Sequence, residues 1–85
     1  VVTSSVLELA PGAVLTNPHR HDAALFGYVL EGAILTSLEH GPIQRYEEGE
    51  MFHEPLRILH THFENPDPDM PAQVLLVTIA KPPQP

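Results

Sequence analysis

The chain has 85 residues, enough for one domain, and sets 4 Lys and Arg against 11 Asp and Glu, a formal net charge of −7. Such a chain repels a phosphate backbone and an anionic membrane surface, and no basic stripe reverses this locally, which argues against nucleic-acid and membrane partners. Without a cysteine, neither a disulfide nor a thiolate metal site can staple so small a core, which leaves a bound metal or a second subunit to supply stability.

The sequence opens at Val1 rather than Met, which leaves a trimmed N-terminal segment open, while the lack of cysteine fits a reducing, cytoplasmic compartment. Ten prolines and five glycines then divide it into runs of about 5–8 residues, the length of strands rather than helices. Strands are predicted over Ser5–Leu9, Val14–Asn17, Leu25–Leu30, Ala33–Leu38, Ile43–Tyr46, Glu50–Glu54, Ile58–Phe63 and Gln73–Ile79. Turns fall at Pro11-Gly12, Glu31-Gly32, His40-Gly41-Pro42 and Glu47-Glu48-Gly49. Asn65 to Pro71 holds three prolines and reads as a surface loop. Residues 1–80 read as a single domain, and Lys81–Pro85 as an extended, exposed tail. Many short strands at this spacing predict an all-β sandwich or closed barrel. No apolar run reaches the roughly 18 residues of a membrane span.

Six histidines carry the chemistry: His19, His21, His40, His53, His60 and His62. Four of them form two His-X-His pairs. On a strand, positions i and i+2 point the same way, so two imidazoles can converge on one ion at about 2.0–2.1 Å from each nitrogen. Neutral imidazole suits iron, zinc, nickel and copper. On spacing alone, a pair on a solvated strand explains the pattern as well.

The context is more specific. Gly12 is followed after six residues by His19-Arg20-His21 and then by Gly32. Gly49 is followed by Pro55, His60 and Asn65. This resembles the two motifs of the cupin superfamily, G-x5-H-x-H-x(3,4)-E-x6-G and G-x5-P-x-G-x2-H-x3-N, over Pro11 to Asn65. The run Phe26 to Gly32 resembles the hairpin that follows the first motif. The resemblance implies a double-stranded β-helix, or jelly-roll barrel, with one divalent ion per chain (iron, zinc, manganese, nickel or copper). Its ligands, carried over by position, are His19, His21 and His60. There are four departures. Leu25 stands where the family has a glutamate ligand, Arg57 replaces a glycine, Gly12 to His19 is one residue longer, and Asn65 lies one residue late.

Parity with His60 points His62 into the lumen, either as a fourth ligand in place of the glutamate or as a hydrogen-bonded neighbour. His40, beside a turn glycine, reads as solvated, and His53 could line the pocket. Glu54 reads either as a group that orients a ligand or acts as a base, or as a surface carboxylate. Arg57 reads as a substrate contact or a surface charge paired with an acid. If Leu25 faces inward, so do Gly27 and Val29, which makes that wall apolar and roomy. Phe26, Tyr28 and Leu30 then face the other way, to be covered by a second subunit in a homodimer or by the N-terminal strand.

Three neutral ligands leave a divalent ion its full charge and open positions, which suits a small anionic or chelating substrate. The resemblance to three-His dioxygenases implies a metal-dependent dioxygenase. The alternatives are a non-enzymatic small-molecule-binding or metal-stabilised module, and a Lewis-acid isomerase or lyase. No G-x-S-x-G, phosphate-binding loop or Ser/Cys nucleophile arrangement is present.

Overall fold

The computed structural model describes residues 1–81, which contain no helix and nine strands. These are β1 (Val2–Leu9), β2 (Val14–Leu15), β3 (His19–Arg20), β4 (Ala24–Glu31), β5 (Ala33–Leu38), β6 (Gln44–Glu47), β7 (Met51–Glu54), β8 (Leu59–Glu64) and β9 (Ala72–Ile79). All eight predicted strands are there. The predicted Val14–Asn17 strand contracts most, to two residues, because Pro18 offers no N–H and restrains Asn17. The backbone then rejoins the sheet as β3, a strand the sequence reading does not contain. Residues 82–85 of the predicted tail lie outside the described residues, and Lys81 is exposed.

Every pairing is antiparallel. One sheet has the order β1-β9-β4-β7; the other runs β2-β8-β5-β6, with β3 also on β8. The two sheets form the all-β jelly-roll barrel. Among the described residues no helix is long and apolar enough to cross a membrane.

Alternation decides what fills the barrel. In β7, Phe52 and Glu54 are buried while Met51 and His53 are exposed. In β4, Leu25, Gly27 and Val29 face inward. Val29, Ile34 and Val74 are fully buried, and each contributes about 1.5–3 kcal/mol of transfer free energy. The wall at Gly27 is not roomy, as parity alone suggested. The Phe52 ring lies against the glycine backbone, and a Cβ there would sit 2.1 Å from Phe52 Cζ. Phe52 in turn packs on Tyr46 and Phe63, with centroids 5.3 and 6.2 Å away.

Asn65 is 1% exposed although the segment after it runs on the surface. Its Nδ2 donates to carbonyl oxygens of Leu9, Ala10 and Met70 at 3.3, 3.2 and 2.9 Å. Its Oδ1 accepts from the Asp67 N–H at 3.0 Å. One amide thus ties the turn after β1 to the 66–71 loop.

Gly27→Ala tests the packing directly. We expect a loss of about 1–3 kcal/mol in urea unfolding, seen as a lower midpoint at constant slope. An unchanged midpoint shows that the Phe52 ring gives way freely.

Candidate metal centre

The topology brings the two ends of the histidine pattern together. Strand β3 lies on β8 with His19 opposite His60. His21, two residues on, turns back over the same spot. Ring centroids of His19 stand 4.7 Å from His21 and 5.0 Å from His60. One nitrogen from each of the three lies within 4.8 Å of the others. His19 is exposed at the rim, His21 half-buried and His60 buried, so the cluster descends from the mouth into the barrel. It borders a cavity of about 170 Å³ whose other walls are Leu7, Leu15, Leu25, Phe63, Leu76 and Glu54.

Backbone carbonyls select the tautomers. His19 Nδ1 lies 3.0 Å from the carbonyl of Asn17, which can only accept, so Nδ1 carries the proton and Nε2 keeps its lone pair. His60 Nε2 lies 2.9 Å from both the His62 carbonyl and Thr36 Oγ1, so its proton sits there and the lone pair is on Nδ1. Fixing the distal nitrogen in this way orients a metal-binding imidazole. Burial, and then the neighbouring His19, hold the pKa of both His21 and His60 below the usual imidazole value. The neutral, lone-pair-bearing form is thereby favoured. Three imidazole donors at a largely apolar pocket fit a divalent transition metal.

The remaining candidates separate cleanly. His62 does not join the cluster, because β8 carries an extra residue. Its register on β5 shifts between Ser37 opposite His62 and Leu38 opposite His60, which leaves Thr61 as a β-bulge. His60 and Phe63 therefore both face the lumen, 5.3 Å apart. His62 instead pairs with Glu64 at 2.8 Å, which removes the four-histidine alternative. His53 also points away: it stacks on Phe26 on the outer face, at 4.5 Å and 9°. His40 is exposed in the turn after β5.

Glu54 is not a surface carboxylate. It is 4% exposed, sits opposite Leu25 in the β4–β7 register, and borders the same cavity. Burial raises its pKa, while His19 nearby lowers it. The signal for this was available, since Phe52 must be core and Glu54 shares its parity.

The chain matches the family model described as "Cupin domain" over residues 5–78. Similar solved structures include the DMSP lyase DddQ from Ruegeria pomeroyi, at 20% identity and a TM-score of 0.78, covering 94% of this chain and 39% of that one. An RmlC-like cupin from Shewanella frigidimarina matches at 19% identity and TM-score 0.73, covering 91% of this chain and 64% of that one. KdgF from Halomonas sp. matches at 27% identity and TM-score 0.77, covering 95% and 71%. The chain thus spans less than two thirds of the first two. No curated protein matches it in sequence.

Arg57, at the place of a glycine in the second motif, has φ of +61°. Its guanidinium bonds Asp22 at 2.9 Å and both side chains are largely exposed, so it is a surface charge paired with an acid. The Arg57 N–H donates to the His21 carbonyl at 3.0 Å, and Arg20 donates to the Arg57 carbonyl at 2.7 Å. This loop is thereby held beside the histidines. A left-handed non-glycine residue costs roughly 1–2 kcal/mol, whereas an exposed ion pair returns less than about 1. Arg57→Gly should therefore melt higher than Arg57→Ala, both having lost the guanidinium. Equal melting temperatures in the two variants contradict a strained backbone.

Proposed function

The chain belongs to the cupin-domain family, and we propose that it holds one divalent metal ion on His19, His21 and His60 and serves as a small metal-dependent dioxygenase of an anionic or chelating organic molecule. The observation that carries this reading is the meeting of three imidazoles at one largely apolar cavity, with His19 and His60 oriented by hydrogen bonds at their distal nitrogens. A bound divalent ion supplies a Lewis acid there and, when redox-active as iron is, the means to use dioxygen.

The protein's own groups do the rest. Leu7, Leu15, Leu25, Phe63 and Leu76 line the cavity beside the histidines, and against such low-dielectric walls electrostatic attraction to an incoming anion is less screened than at the open surface. The cavity, at about 170 Å³, is below the roughly 300–1,000 Å³ of sites for drug-sized ligands, which confines the substrate to a small molecule. Even with one carboxylate alongside, a divalent centre remains positive and favours an anionic group.

Metal analysis of protein purified without chelator, followed by oxygen uptake with diketones, thiols and phenols, tests the reading. We expect about one redox-active ion per chain and substrate-dependent uptake. Zinc with no uptake supports instead a Lewis-acid or purely binding role. His60→Ala should lose the ion and melt lower, because a ligand bound only to the folded state stabilises it by mass action. His62→Ala should keep the ion. Full occupancy in His60→Ala sinks the assignment.

A homodimer is the second part of the proposal. Strand β1 lies beside β9 in its own sheet and does not cover Phe26 and Tyr28. Val6, Leu75, Tyr28 and Met51 form one register row across all four strands on the outer face. Val6, Tyr28 and Met51 are 58%, 38% and 60% exposed, a contiguous apolar band that calls for a partner. Two-fold pairing of this face is the simplest closed arrangement. Light scattering at micromolar concentration should give the dimer mass, and Tyr28→Lys the monomer mass. A wild-type monomer refutes it.

A further inference from the structure

Glu54 is the one buried side chain among the described residues with an unsatisfied polar atom. Its Oε1 has no hydrogen-bond partner. An isolated buried carboxylate is expensive, and such a group calls for a specific partner. The nearest polar neighbour is His60 Nδ1, 3.4 Å from Oε1. That nitrogen is the one left without a proton by the bond from Nε2 to the His62 carbonyl. With Glu54 ionised the contact is therefore lone pair against lone pair, which repels unless a proton or a metal cation lies between. Two donors bound at about 2.0–2.1 Å to a tetrahedral ion stand roughly 3.4 Å apart.

The placement is equally specific. His19 and His60 come from β3 and β8 of one sheet, and His21 from the segment that follows β3. Glu54 comes from β7 on the opposite sheet and reaches the same cavity from across the barrel. Its register partner on β4 is Leu25, which has no donor atom. We propose that Glu54 is a fourth ligand to the ion, so that the centre is three histidines and one carboxylate, with the carboxylate supplied from the sheet facing the histidines. The proposal rests on the three-histidine reading above. It gives the site a net charge one unit lower than histidines alone and ties the two sheets together through the ion.

The test uses chelator-stripped protein titrated with Co²⁺, read by calorimetry and by the visible absorption of the bound ion. Wild type should take up one equivalent. Glu54→Gln should keep the stoichiometry but lose at least about tenfold in affinity, with a changed visible spectrum. Moving the carboxylate to the neighbouring strand, in the double variant Leu25→Glu with Glu54→Gln, should recover most of that loss. An affinity and spectrum unchanged in Glu54→Gln, while His60→Ala loses cobalt, overturn the fourth ligand and leave the three-histidine centre intact. Wild type that takes up no cobalt overturns both. Should Glu54→Gln not fold, the infrared difference spectrum of wild type on adding one equivalent of Zn²⁺ decides the matter. A shifted carboxylate stretch is expected, and its absence overturns the proposal.

Discussion

One extra residue in β8 governs the arrangement of this protein. Without Thr61 as a bulge, strict alternation would put His60 and Phe63 on opposite faces of the sheet. Either the core would lose its central aromatic ring or the pocket its deepest imidazole. With the bulge, both face the lumen and His62 is turned out toward Glu64. The same kink brings the His62 carbonyl within 2.9 Å of His60 Nε2, which decides the nitrogen left to bind. The bulge is held in place: Thr61 Oγ1 lies 2.7 Å from Ser37 Oγ and accepts from the His40 N–H at 3.2 Å. Packing, tautomer and ligand direction therefore share one cause.

Most of the fold was legible because proline and glycine fall between runs of alternating residues, and alternation is a local property. The cluster of His19, His21 and His60 was legible through motif spacing. What escaped the sequence was non-local. A bulge leaves no mark in residue type, so parity failed at His62. The space over Gly27 depends on a ring three strands away in sequence, and Phe52 fills it. The bridge of β3 to β8 involves two residues that directly follow Pro18, too short to register as a strand. Glu54 was ambiguous because a carboxylate before a proline usually sits in water. Only its shared parity with Phe52 spoke for burial.

Charge distribution bears on the function proposed for the site. The chain carries a formal charge of −7, so its general surface repels anions of the kind proposed as substrates. On that proposal, attraction is confined to the cavity, where apolar walls limit screening. Arg20 and Arg57, two of the few cations, lie in the segments beside the mouth, where each is matched by an acid, Glu39 and Asp22. Their contacts instead hold the 55–58 turn, Arg20 through the Arg57 carbonyl and Arg57 through Asp22.

The amide at Asn65 has a bearing on chemical ageing. Asparagines deamidate chiefly when the backbone nitrogen of the next residue attacks the side-chain carbonyl and closes a five-membered imide. The next residue here is Pro66, whose nitrogen has no hydrogen and is already fully substituted. The route is closed at the position where it would do most harm, since an aspartate in the same place would set a buried negative charge against three carbonyl oxygens. The same Asn-Pro step that turns the chain out of β8 thus protects this buried amide from slow conversion over the protein's lifetime.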